Sequence, residues 1–115
     1  MSDLAPDALR ARIEAGDAPP VLDVRSRAEF ARGHVPGAVH VPFWAMLWRA
    51  RGLPVSREDP VVVYCGHGPR ARVAQSLLCL HGFRRVACLA GHMSRWRQAG
   101  FPVAGPDDPP GDRMT

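Results

Sequence analysis

The chain has no lysine and no asparagine, and all 15 of its basic residues are arginine. Beside the abundance of Ala, Gly, Pro and Arg, this points to a compositionally biased genome, so arginine content alone is a weak sign of an anionic partner. No run of about 18 apolar residues occurs, which excludes a membrane-spanning helix and a membrane partner of that kind. The N-terminal stretch carries Asp3, Asp7, Arg10, Arg12, Glu14 and Asp17, so no apolar secretory core is expected there. Cysteine is scarce and odd in number, with only Cys65, Cys79 and Cys88, which is no disulfide framework and makes the reducing cytoplasm the expected compartment.

What remains fits a single globular domain. A chain of 115 residues, 46% hydrophobic and 23% charged, has enough apolar side chains for a core without staples and is too apolar to be disordered. A tail over 104–115, with Pro106, Pro109, Pro110, Gly105 and Gly111 among three aspartates, is expected to be a disordered end beyond a domain over 1–103. No internal repeat is present.

Hydrophobic periodicity predicts alternating short strands and helices. Pro6 to Ala15 reads as a helix stopped by Gly16, and Val21 to Val24 as a strand. Ser26 and Glu29 form a capping box that opens a brief helix closed by Gly33. Val39 to Val41 is a second strand, and Phe43 to Ala50 an apolar helix. Val61 to Tyr64 is a β-branched strand, followed by a glycine-rich turn and a helix over Arg70 to His81. Val86 to Leu89 and a helix over Ser94 to Ala99, capped by Ser94, complete the set. The pattern predicts an α/β domain with a mostly parallel sheet, in which ligands bind beyond the carboxyl ends of the strands.

Cys65 stands at that place, after the best-defined strand and before a helix. Gly66 and Gly68 let the backbone curl, and a curled loop entering a helix turns its N–H groups inward as a nest for an anion. Arg70 adds a fixed charge and a planar fork suited to tetrahedral oxyanions. Together these describe a thiolate nucleophile that handles an anionic substrate. A buried structural cysteine in a tight turn is the plainer alternative.

Several stretches resemble the single-domain rhodanese, or thiosulfate sulfurtransferase-like, family. They are Leu22-Asp23-Val24-Arg25, Glu29-Phe30, Gly33-His34-Val35-Pro36-Gly37-Ala38, Val41-Pro42, the loop Cys65-Gly66-His67-Gly68-Pro69-Arg70, Leu89-Ala90-Gly91-His92, Trp96 and Gly100-Phe101-Pro102-Val103. Each is weak alone; their order and spacing over Leu4 to Val103 are specific. The resemblance implies a three-layer α/β domain with a parallel sheet of four to five strands between helices. It implies that Cys65 takes the outer sulfur of a small anionic donor such as thiosulfate. The resulting persulfide would pass that sulfur to a thiol or cyanide acceptor, a thiol protein included. Gly66, His67, Gly68, Pro69 and Arg70 would form the substrate cradle, with His67 and Arg70 orienting the donor; His67 alternatively bonds within its own loop. No cofactor, metal or nucleic-acid partner is implied.

Three alternatives stand beside this. Phosphatases of the same fold place five residues between Cys and Arg, whereas four intervene here, and the same count argues against a rhodanese-fold arsenate reductase. A non-catalytic or partner-dependent sulfur-relay module is compatible with an intact Cys and Arg. Asp23 and Arg25 are read as a structural ion pair that could also brace the catalytic loop, and His34 as structural. Cys79 with His81 is too tightly spaced for a metal pair, and Cys88 reads as a core thiol. Trp44 and Trp48, four apart on one helical face, are expected in the core, with the mouth of the site as the alternative. Two departures from the family pattern stand out: only Met1 to Leu4 is available for a first strand, and Gly66 supplies no second basic side chain beside the cysteine. Finally, eight arginines balance eight acidic residues up to Pro60, whereas 61–103 carries six arginines and no Asp or Glu. That excess predicts a positive field around Cys65.

Overall fold

The computed structural model describes residues 3–105. Helices and strands alternate as α1 (Pro6–Ala15), β1 (Val21–Asp23), α2 (Arg27–Arg32), β2 (Val39–His40), α3 (Met46–Arg49), β3 (Pro60–Tyr64), α4 (Pro69–Leu80), β4 (Arg85–Cys88) and α5 (His92–Gln98). The strands form one sheet in the order β2-β1-β3-β4, and every pairing is parallel. Parallel neighbours need crossovers, and the intervening helices supply them on both faces, giving the three-layer α/β architecture.

Alternation along β3 assigns its side chains to two cores. Val61, Val63 and Cys65 face one layer with Ala71, Ala74, Leu78 and Cys88. Val62 and Tyr64 face the other, with Leu9, Val21, Met93 and Trp96. Because side chains alternate at every residue, the tyrosine before the cysteine necessarily points to the opposite layer. Both sheet faces are thereby covered, which is why the strands are short apolar runs without polar alternation.

The first strand shrinks to a single parallel bridge between Leu4 and Leu89 on the β4 edge. Leu4 N–H donates to Cys88 O and Ala90 N–H to Leu4 O, each at 2.8 Å. The other end of the domain is tied by an antiparallel bridge between His34 and Ala104. Ala104, where composition alone would start the tail, is therefore held, and 106–115 lies outside the described residues.

Three local expectations need correction. The apolar stretch after β2 is not one helix: a 3-10 turn over Phe43–Ala45 and another over Ala50–Gly52 flank the four residues of α3. Trp44 and Trp48 are 54% and 60% exposed, so they do not pack in the core; their rings lean on each other at 5.6 Å. A segment that changes winding twice does not keep residues four apart on one inward face, and Ala45, Met46 and Ala50 turn inward instead. Third, α5 starts at His92, with no side-chain cap from Ser94. Its leading N–H groups find other acceptors: Met93 N–H bonds Cys65 O at 2.9 Å and Ser94 N–H bonds Gly66 O at 3.2 Å. Carbonyls of the loop after β3 thus do the capping.

Candidate active site

That loop runs from Cys65, at the carboxyl end of β3, to Pro69, the first residue of α4. Pro69 needs no N–H at the head of a helix, and its fixed φ suits that position. Gly68 precedes it at φ 136°, where a side chain is disfavoured; a Cβ would also lie 3.3 Å from Nε2 of His92. In this conformation the Gly68 N–H points at Sγ of Cys65, 2.9 Å away. The N–H groups of Gly66, His67, Arg70 and Ala71 take no acceptor among the described residues. The result is the expected cradle of free donors at a helix head. Cys65 itself is fully buried, Gly66 half-buried, and His67 and Pro69 exposed. His67 makes no hydrogen bond among the described residues.

Arg70 is engaged more tightly than the loop sequence alone suggests. Its Nη1 donates to Oε1 of Glu29 at 2.7 Å and its Nη2 to Oε2 at 3.1 Å, a bidentate pair. Arg70 holds the Glu29 carboxyl down at about 2, with burial opposing and Ser26 assisting. The arginine is raised in turn, chiefly by its bond to Glu29. Glu29 completes the predicted capping box as well, since Ser26 N–H donates to Oε1 at 3.1 Å and Glu29 N–H to Ser26 Oγ at 3.3 Å. One carboxylate therefore caps α2 and anchors the loop's arginine. Its capping role is legible in the sequence; its reach to Arg70, 41 residues on, is not.

Asp23 and Arg25 form a buried ion pair, with Nη2 2.7 Å from Oδ2. Arg25 also donates to Gly33 O at 2.7 Å. The pair is joined to β3 by Tyr64, whose hydroxyl donates to Oδ2 of Asp23 at 2.7 Å and accepts from Val35 N–H at 3.0 Å. Burial and the Asp23 carboxylate push the Tyr64 phenol well above its ordinary range, so it stays a donor. The residue adjoining Cys65 is thus bolted to the buried pair. Among the residues to which the sequence assigns no role of their own, His92 meets the loop through its side chain, accepting from Cys65 N–H at its Nδ1. His34 is structural, stacked on Phe30 with centroids 3.8 Å apart and bonded through Nδ1 to Phe30 O.

Three of the six arginines of 61–103 are paired with acids from the earlier part of the chain. Arg72 pairs with Asp3 at 3.0 Å and Arg84 approaches Glu58 at 3.7 Å, besides the Arg70–Glu29 pair. Arg85 opens β4, at the sheet end away from Cys65. Two arginines that pair with no acid among the described residues, Arg27 and Arg49, line a cleft of about 380 Å³ with Ser26, His40, Pro42 and Trp44. Among the described residues no cluster of His, Cys, Asp or Glu could hold a metal, and no helix is long and apolar enough to cross a membrane.

The rhodanese-like domain model matches residues 5–99, nearly the whole described fold. The chain belongs to the rhodanese-like domain family. A sulfurtransferase from Allochromatium vinosum is 33% identical over 87 residues, covering 76% of this chain and 79% of that protein. The thiosulfate sulfurtransferase GlpE of Pseudomonas fluorescens is 34% identical over 77 residues, covering 67% and 69%. Among solved structures, the Alr3790 protein from Anabaena superposes with a TM-score of 0.82 at 28% identity, over 91% of this chain and 94% of that one. These rhodanese relatives support a sulfur-transfer role.

Proposed function

We propose that this rhodanese domain transfers sulfane sulfur through a persulfide on Cys65. The observation that carries the reading is the Gly68 N–H on Sγ at 2.9 Å, within a loop whose Gly66 and His67 N–H groups take no acceptor among the described residues. An anionic sulfur gains from several fixed donors and a helix head, and both the thiolate and the persulfide anion need that support. With thiosulfate, Sγ attacks the outer sulfur, a new S–S bond forms, and the old one breaks with its electron pair leaving on sulfite. A thiol, cyanide or a thiol protein then takes the terminal sulfur from Cys65. Because Cys65 is buried, the loop from Gly66 to Gly68 has to part for a donor to reach it. The bolt from Tyr64 to Asp23 fixes the strand beneath, so the loop moves on a rigid base.

The intact mass of the protein after incubation with thiosulfate or an alkyl persulfide tests this. One added sulfur, absent in Cys65→Ala, is the expected result; no adduct from either donor overturns the reading.

A further inference from the structure

We propose that Glu29 sets the donor class of this site: by holding both arms of Arg70 it cancels the cradle's fixed positive charge, so that Cys65 takes sulfur from an organic persulfide end, which carries at most one charge and reacts as R–S–SH, in preference to the thiosulfate dianion. The inference rests on the sulfur-transfer reading above and specifies its substrate.

Arg70 is the arginine that closes the loop running on from Cys65, and its two outward nitrogens are both spent on Glu29, at 2.7 and 3.1 Å. A sulfonate arriving there meets a neutral ion pair in which a carboxylate sits beside the guanidinium. Gly66 contributes no charge, and a Cβ built on it would lie 3.4 Å from Nη2 of Arg70 and 4.0 Å from Oε2 of Glu29, so it directly overlies the pair. His92 cannot act as a cation while its Nδ1 accepts from Cys65 N–H. His67 is exposed, where solvent screens any charge it carries. What faces the thiolate is therefore a set of neutral N–H donors. Such a set stabilises one negative charge on sulfur, but a dianion brought against the thiolate adds repulsion that these donors do not offset.

The step balances without a further reactant. The Cys65 thiolate attacks the terminal sulfur of R–S–SH, the Cys65–S bond forms, and the donor's S–S bond breaks with its electron pair leaving as R–S⁻. The transferred sulfur arrives with its proton as Cys65–S–SH and then releases it to solvent, leaving the persulfide anion that the cradle's N–H groups hold.

The test compares the efficiency of Cys65 persulfide formation from thiosulfate and from an alkyl persulfide with an uncharged alkyl body, read by quenched-flow mass measurement and expressed as a ratio. Two variants change the charge by independent routes. Glu29→Gln removes the carboxylate while keeping a residue type that closes a capping box. Gly66→Lys adds a cation beside the pair at a position whose φ is ordinary and whose Cβ meets only flexible side-chain ends. The thiosulfate-to-persulfide ratio is expected to rise about tenfold in each, the scale of one uncompensated charge at partly screened range. A ratio that stays flat or falls in Gly66→Lys overturns the proposal, and that variant decides the question if Glu29→Gln loses its fold. A flat ratio with Cys65 still labelled leaves sulfur transfer standing and removes only Glu29's role. No labelling from either donor removes both.

Discussion

The backbone N–H of Cys65 is bonded to Nδ1 of His92, 3.2 Å away, so the first N–H of the turn after β3 is committed to the protein. The bond requires a lone pair on Nδ1 and hence a neutral ring protonated on Nε2. Burial pushes the imidazole below its ordinary range, and the charge of Arg72 adds to that. His92 reaches this place through a left-handed backbone, φ 56°, directly after Gly91 at φ 72°. Together with the bonds from Met93 and Ser94 to Cys65 O and Gly66 O, it clamps the loop's start onto α5.

His92→Ala is expected to destabilise the fold by about 1–3 kcal/mol, because it leaves a buried N–H without an acceptor. His92→Asn should lose less, since an amide oxygen can accept and asparagine tolerates positive φ. The pH dependence separates the two roles. A histidine lowered in the folded state is protonated more readily when unfolded, so its contribution is complete above about pH 6.5 and is lost as pH falls through the lowered folded value. Urea midpoints between about pH 5 and 7.5 should therefore fall on acidification in the native protein and fall less in His92→Asn. Parallel pH slopes would rule this out.

Tyr64→Phe tests the bolt under the loop. It deletes one hydroxyl, taking one donor from the Asp23 carboxylate, which keeps those of Arg25, and leaving the buried Val35 N–H without an acceptor. A loss of about 2–4 kcal/mol is expected in chemical denaturation, since hydrogen bonds to charged groups are worth more than neutral ones and an orphaned N–H adds its own penalty. Asp23→Asn should cost at least as much by leaving Arg25 buried without its counter-charge. A Tyr64→Phe loss under about 0.5 kcal/mol would mean that the hydroxyl merely fills space.

The strand and helix order is readable from the chain because β-branched runs, proline stops and a capping box are local signals. The Cys65–Arg70 loop is readable for the same reason: glycines, a proline and a helix start lie within six positions. The partners of those residues are not local. Glu29 to Arg70 and Asp3 to Arg72 are ion pairs formed across 41 and 69 residues, so a count of charge along 61–103 does not tell which of its arginines are matched by acids from elsewhere in the chain. His92 stands in a stretch that carries the family resemblance, but its role is not legible there, because it depends on β4 carrying α5 back beneath the loop. The tryptophan pair misleads for a physical reason, since helical spacing assigns a face only if the winding is constant.

Gly68→Ala is expected to disturb chemistry and fold together. A residue with a Cβ at φ 136° is strained by roughly 1–3 kcal/mol. Its methyl would also press on the His92 ring at 3.3 Å, while the N–H moved by any relaxation is the one on Sγ. Cys65 persulfide formation should slow at least about tenfold, the equivalent of roughly 1.4 kcal/mol of lost sulfur stabilisation. Native persulfidation rates in a well-folded Gly68→Ala would show that this N–H does not support the sulfur. The Glu29–Arg70 pair offers a control, because the carboxyl at about 2 keeps it intact through the neutral and mildly acidic range of the assay.

The three tryptophans report the architecture separately. Trp96 is 1% exposed, donates from Nε1 to Pro102 O at 2.8 Å, and meets Phe101 edge-on at 5.2 Å. Trp44 and Trp48 stand more than half exposed on the segment after β2. A soluble quencher such as acrylamide should therefore remove most of the emission, leaving a blue-shifted remainder from Trp96. In Trp44→Phe with Trp48→Phe, that remainder should be nearly all the signal, with stability within about 0.5 kcal/mol per site, as for surface substitutions. Trp96→Phe should instead cost more than about 1 kcal/mol by losing a buried hydrogen bond and core volume. If the double variant proved the more destabilised of the two, the exposed placement of the pair would be wrong, and the segment after β2 would have to pack as the single inward-facing helix that its spacing predicts.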